Sequence, residues 1–285
     1  MLPMLRKIIF FFPGRIISWM PRGFQLFLGR RLGDLGYLLI KKRRAITTRN
    51  MEIAFPEQDP RVLARSCFQQ LGCTMIETLC LPYFCSNLKK WLVFEGAEVF
   101  RDATRNGKGI ILLSGHFGGW EVIGHCGQRL GFPANALYQK MKSDLADQLF
   151  FDLRSFSGLK LVEKRSGLRE AIRGLMEGGE MLGLMGDQGR GQKISFFGRE
   201  TNFPKGPASI ALKYGVQLYF TLAIREGKYL KVKVLDEIPL AEGETEDEII
   251  LETSKIYAHK LEEMVREYPE QYFWLHDLWR EFKKS

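Results

Sequence analysis

Apolar positions along the chain change rhythm twice, and the changes divide it into three stretches. Up to residue 50, aliphatic and aromatic residues (Ile8, Phe10, Ile16, Trp19, Phe24, Phe27, Leu28) are interleaved with cations and broken by Pro13 and Pro21. Residues 58–88 carry the 3.6-residue period of an amphipathic helix, with Val62, Leu63, Phe68, Leu71, Met75, Ile76 and Leu79 on one side and an end expected near Pro82. From Gly109 onward short apolar runs alternate with longer amphipathic ones. IILL at 110–113, Ala136–Tyr138 and MLGLM at 181–185 read as buried strands, with helices expected over 119–130, 144–157 and 167–177. The runs at 217–224 and 231–235, separated by Glu226-Gly227-Lys228, predict a hairpin, and 245–267 a last helix halted before Pro269.

This order predicts an α/β fold with an N-terminal helical appendage that associates with membrane: an arm over 1–50 and a domain over 51–285, itself a helical layer (58–88) and an α/β core from about 90 to 285. No internal repeat or low-complexity linker interrupts it.

Charge sharpens the picture of the arm. Eleven of the 42 Lys and Arg lie in residues 1–50 against one acid, Asp34, which leaves 31 bases against 32 acids in the rest. The body is neutral and the arm is both basic and greasy, a combination that suits an anionic lipid surface better than nucleic acid. A spanning helix needs roughly 20 mostly apolar residues, and Pro13, Arg15, Pro21, Arg22, Arg30 and Arg31 interrupt every such window. The arm is therefore expected to lie in the interface. A secretory signal lacks its small-residue cleavage site, and an ordinary amphipathic cap over the core is the plain alternative. The five cysteines show no C-x-x-C spacing and read as buried thiols.

The candidate chemistry sits where a strand becomes a helix, in Ile110-Ile-Leu-Leu-Ser-Gly-His116-Phe-Gly-Gly-Trp-Glu121. Gly115, Gly118 and Gly119 let the backbone bend sharply, and Glu121 falls in the first turn of the next helix. Folded back, that carboxylate would hold one ring nitrogen of His116 and leave the other to accept a hydroxyl proton. Ser114 lacks the G-x-S-x-G elbow, so direct attack by an acceptor hydroxyl is expected, with backbone N–H groups of 118–121 holding the oxyanion. Two plainer readings stay open: a turn histidine that only makes a structural hydrogen bond, and a metal held by His116, Glu121 and His125.

The segment His116-Phe-Gly-Gly-Trp-Glu121 after a hydrophobic strand resembles the catalytic motif of the bacterial lipid A late acyltransferases. Arg49-Asn-Met-Glu-Ile-Ala-Phe-Pro56, Gly186-Asp187-Gln188, Phe196-Phe197-Gly198, Gly206-Pro207-Ala208 and Gln271-Tyr-Phe-Trp274 follow that family in order and approximate spacing. The resemblance implies a glycerolipid-acyltransferase-like α/β fold. It also implies transfer from an acyl-acyl-carrier protein to a hydroxyl on a glucosamine-based lipid, at the cytoplasmic face of the bacterial inner membrane, by a peripheral or monotopic enzyme. No metal or other cofactor is expected, since an alcohol can attack a thioester without one.

By position, Arg154 and Asp187 are implied as further functional polar residues. An arginine fork suits a lipid phosphate or the charge developing near a thioester. Asp187 and Gln188 follow a strand directly, at the edge where parallel sheets bind ligands. Gln139 stands where the family often has Arg, which makes Lys140 or Lys142 the candidate for that charge. Gly206-Pro207-Ala208 reads as a helix start or as part of an acyl channel, the aromatics between Tyr268 and Trp279 as core or as a lipid-facing rim, and His276 as structural. Other glycolipid or aminolipid acceptors, such as a phosphatidylinositol mannoside or an ornithine lipid, remain open, as does a catalytically idle membrane-binding role.

Overall fold

A computed structural model describes residues 12–87, 90–96, 98–99, 107, 109–124, 131, 133–138, 140, 143–155, 159–163 and 167–279. Among the described residues the centre is a seven-stranded sheet. In chain order its strands are β1 (Leu92–Glu95), β2 (Ile111–Ser114), β3 (Ala134–Tyr138), β4 (Lys160–Glu163), β5 (Met181–Met185), β8 (Leu218–Glu226) and β9 (Tyr229–Ile238), and they lie side by side as β1-β9-β8-β2-β5-β3-β4. The run from β8 to β4 is parallel, β9 turns back against β8, and β1 follows β9. Strands β6 (Gln192–Phe196) and β7 (Arg199–Phe203) form a separate hairpin.

Strand β2 is buried at every position, which is why it reads as an unbroken apolar run: central parallel strands are covered on both faces. Successive side chains serve opposite faces. Ile111 and Leu113 join a core with Phe117, Tyr257, Leu261 and Trp274. Ile110 and Leu112 join another with Ile76, Trp91, Val122 and Leu230.

Helices among the described residues include α1 (residues 12–19), α2 (Arg22–Leu39), α3 (Lys41–Ala54), α4 (Pro60–Asn87), α5 (Asp144–Ser155), α6 (Leu168–Glu177), α7 (Gly206–Tyr214) and α8 (Glu246–Glu267). Helix α8 starts where Thr245 accepts a hydrogen bond from the Glu248 amide, with Glu246, Asp247 and Glu248 in its first turn, an arrangement that suits the positive helix end. Helix α4 does not stop at Pro82 but continues to Asn87: a proline removes only one i→i−4 bond, and the helix just before it is buried at Ile76, Cys80 and Leu81. Of the helix expected over 119–130 there is a 3-10 turn at Trp120–Val122 running on to 124, and the remainder lies outside the described residues. The hairpin is longer than its apolar runs, since β8 and β9 keep pairing past a register shift at Phe220/Thr221.

The boundary expected at residue 50 falls inside α3, and this helix belongs to the core. Asn50 is fully buried and donates to the carbonyls of Trp274 (2.9 Å) and His276 (2.7 Å), while Met51, Ala54 and Phe55 pack in the main cluster. Helix α2 lies against α4 with almost no space between the backbones. A Cβ on Gly33 would fall 2.2 Å from the Phe68 oxygen, and one on Gly72 2.1 Å from the Gly29 oxygen. The outer side of α1 and α2 is exposed and apolar, with Trp19 at 75% and Leu39 at 69% exposure, beside Phe24, Phe27, Leu35 and Leu38. Among the described residues no helix is long and apolar enough to cross a membrane.

Candidate active site

Strands β2 and β5 are hydrogen-bonded neighbours with Ser114 opposite Met185. The turns that follow them therefore bring His116 and Asp187 to one point at the carboxyl edge of the sheet. The imidazole Nδ1 lies 2.8 Å from Asp187 Oδ1, and the His116 backbone N–H donates to Oδ2 at 3.0 Å. Asp187 is buried, and the His116 side chain is 27% exposed. The turn is tightly packed: a Cβ on Gly115 would sit 3.0 Å from Leu261 and 3.6 Å from the Asp187 carboxyl carbon. The Trp120 ring (5.6 Å) and the Phe273 ring (6.0 Å) flank the imidazole.

Burial disfavours a charged imidazole, but the Asp187 charge and hydrogen bond, helped by Glu121, outweigh it, so the His116 pKa is raised. Burial likewise opposes the Asp187 anion, yet His116 holds its carboxyl below the usual range. With Nδ1 engaged by a carboxylate, Nε2 is the nitrogen left to exchange a proton with a bound hydroxyl.

The expected partnership of His116 with Glu121 is thus replaced by one with Asp187. Glu121 is bound instead by the Arg154 guanidinium, with Nε to Oε2 at 2.7 Å and Nη2 to Oε1 at 2.5 Å, and by the Trp120 indole N–H at 3.2 Å. The 3-10 turn is the cause, since it carries Glu121 past Trp120 toward α5, whose last turn presents Arg154. Burial pulls the Arg154 pKa down, but Glu121 outweighs it and fixes the cation.

Other expectations divide. The N–H groups of Gly118 and Gly119 already donate to the carbonyls of Gln271 (2.8 Å) and Ala223 (2.9 Å), so those two cannot serve an oxyanion. Ser114 is buried with its hydroxyl on the Gly115 carbonyl. Gln188 adjoins Asp187 and has a buried amide nitrogen with no acceptor among the described residues. Lys140 is not brought to the site: it is an exposed cation 3.3 Å from Asp144 on α5. His125, Lys142 and Gln139 lie outside the described residues. Gly206-Pro207-Ala208 opens α7, and the cavity beside it, lined by Leu113, Gly186, Phe203 and Tyr257, is about 10 Å³, room for roughly one water and too small for an acyl chain. Tyr272, Trp274 and Trp279 are core, whereas Phe273 faces His116. His276 gives its carbonyl to Asn50. Cys67, Cys73 and Cys80 are free and buried, and burial pushes the Cys80 thiol up to about 12.

A support for the turn was not anticipated from sequence. The Thr74 hydroxyl on α4 donates to the Gly118 carbonyl at 2.7 Å, and beneath it the buried Glu77 is paired with Arg225 of β8 and Arg22 of α2.

A mainly parallel sheet with a buried carboxylate and a histidine paired at its carboxyl edge is an α/β framework that places polar groups where such sheets bind their ligands. Residues 4–281 match the family of bacterial lipid A biosynthesis acyltransferases, and the chain belongs to it. It is 26% identical over 268 residues to the lipid A biosynthesis palmitoleoyltransferase of Escherichia coli K12, covering 90% of this chain and 84% of that one. The lauroyltransferase of the same organism is 27% identical over the same shares. A phosphatidylinositol mannoside acyltransferase of Mycolicibacterium smegmatis is 22% identical over 61% of this chain and 57% of its own. The crystal structure of a 1-acyl-sn-glycerophosphate acyltransferase from Thermotoga maritima aligns at a TM-score of 0.39 and 18% identity, covering 86% of this chain and 99% of that one.

Proposed function

We propose that this acyltransferase moves a fatty acyl chain from an acyl-carrier-protein thioester to a hydroxyl of a lipid A precursor, with His116 as general base oriented by Asp187. The carrying observation is the 2.8 Å contact between His116 Nδ1 and Asp187 Oδ1, which leaves Nε2 as the proton acceptor. The acceptor O–H gives its proton to Nε2 as its oxygen attacks the thioester carbonyl. The tetrahedral intermediate collapses with cleavage of the C–S bond, and the departing thiolate takes the proton from the imidazolium. Arg154, kept charged by Glu121 beside Trp120, supplies the cation for a phosphate or for the developing oxyanion. Gln188, which follows Asp187 in the chain and whose amide nitrogen has no acceptor among the described residues, is a substrate-binding group. The exposed apolar side of α1 and α2, with Arg15, Arg30, Arg31, Lys41 and Lys42 around it, rests on anionic lipid at the cytoplasmic face of the inner membrane and attracts an acidic carrier.

The test is transfer from a labelled acyl-carrier thioester to a tetra-acylated lipid A precursor. Transfer by the native protein and its loss in an equally folded His116→Ala variant support the reading, and unchanged transfer by the variant overturns the mechanism. The likeness to a phosphatidylinositol mannoside acyltransferase motivates a second acceptor in the same assay. The lipid that gains a chain decides between them.

A further inference from the structure

Two consecutive glycines after His116 make the catalytic turn intrinsically loose, and Gly118 is held at a φ of 54°. Each polar backbone atom between the Gly118 nitrogen and the Gly119 nitrogen is tied down. Gly118 N–H donates to the Gln271 carbonyl and Gly119 N–H to the Ala223 carbonyl, while the Gly118 carbonyl accepts from Thr74 at 2.7 Å.

These ties converge on Arg225. Its Nη2 donates to the Thr74 oxygen at 3.1 Å, and its backbone N–H and carbonyl both engage the Gln271 side chain, at 2.8 and 2.9 Å. Glu77, fully buried, holds the Arg225 guanidinium, with Nε to Oε1 at 3.1 Å. An ion pair enclosed in this way repays the cost of desolvation only when its geometry is well satisfied, so it tends to fix one arrangement of the groups bonded to it.

The geometry points to Thr74, backed by the Arg225–Glu77 pair, as a positioning residue that sets the place of His116 by holding the Gly118 carbonyl. This rests on the acyl-transfer reading of the same site. Thr74 touches no reacting atom and acts through the turn alone. A displacement of about 1 Å in a catalytic group can cost on the order of 100-fold in rate, and the Thr74 hydroxyl is two residues' reach from the base.

The test uses the full chain with Thr74→Val, which keeps the shape and removes the donor, and Thr74→Ser, which keeps the donor. In Thr74→Val, kcat falls about 10-fold or more while KM for the carrier thioester stays within about 2-fold. The His116 titration, followed by NMR of the ring protons, moves down toward the ordinary value as its contact with Asp187 slackens. Thr74→Ser restores both. Native kcat and titration in Thr74→Val, or equal loss in the two variants, overturns the assignment. If Thr74→Val does not fold, Thr74→Ala is read by the same two measurements. The titration needs no turnover, so a native protein without transfer activity would sink the acyl-transfer reading and still leave the positioning role to be decided.

Discussion

His116 and Asp187 stand 71 residues apart in sequence and share two hydrogen bonds, one through the ring and one through the backbone N–H. The backbone bond fixes where the histidine sits, and the ring bond fixes which nitrogen is available. Asp187→Asn should therefore do more than remove a charge. An amide can present its N–H to Nδ1 and favour the wrong tautomer, and a loss on the order of 10⁴ in kcat is the scale for such a change. Single-turnover transfer by native and variant proteins of matched thermal stability measures it; a loss under 10-fold would remove Asp187 from the mechanism.

The raised His116 pKa has consequences of opposite kinds for rate and stability. A base works unprotonated, so kcat/KM should fall as pH drops through a value above 6.5, and the limb should move lower in Asp187→Asn. The stabilisation from protonated His116 is complete below its unfolded pKa and is lost as pH rises through the folded one. The Asp187 contribution runs the other way: present above its unfolded value, lost as pH falls through its depressed folded value. Urea unfolding of native and His116→Gln proteins across this range checks both signs.

Glu121 and Arg154 form a side-on pair with two hydrogen bonds. Arg154→Lys cannot reproduce that fork and should behave nearly as Arg154→Ala in transfer. Removing either partner takes two charge-assisted hydrogen bonds from the other, at a cost of about 2 kcal/mol or more. A double-mutant cycle with Glu121→Ala and Arg154→Ala should give a coupling of about 1 kcal/mol or more. Additive losses would show that the two act apart.

Replacing Trp19, Leu38 and Leu39 together by serine should weaken sedimentation with anionic vesicles and leave the melting temperature close to native, because these side chains are exposed. Added salt should weaken the remaining binding further. Unchanged binding by the triple variant would move the docking surface elsewhere.

Gly118→Ala tests the turn from the backbone side. A Cβ there would lie 2.0 Å from the Ala223 oxygen, in a left-handed conformation that costs non-glycine residues about 1–2 kcal/mol before any clash. The variant should melt several degrees lower and lose most transfer. A native melting curve would mean the turn relaxes freely.

Strands β2 and β5 and the β8–β9 hairpin are legible in the sequence because burial on both faces, or a tight glycine turn, leaves a local signature. Strand β4 is not, since Lys160–Glu163 mixes charge into four residues at a sheet edge. His116 is legible from its glycines. Its partner is not, because strand neighbours are set by topology, and the near carboxylate at 121 is the one that proximity in sequence suggests. Asp187 stands out only as a polar residue after a strand. Glu77 is hidden for a related reason: one acid on a long helix looks solvated until the strand bearing Arg225 is laid against it.

Arg22 lies at the first position of α2, its guanidinium stacked on Trp91 at 4.3 Å and paired with Glu77. The helix that offers its greasy side to solvent thus also delivers a counter-ion to the interior. Trimming the chain past Leu39 to obtain a better-behaved soluble fragment would strip a buried carboxylate of one of its two cations. It would also uncover the groove along α4 where Gly29 and Gly33 meet Gly72, so the basic segment cannot be treated as a detachable anchor.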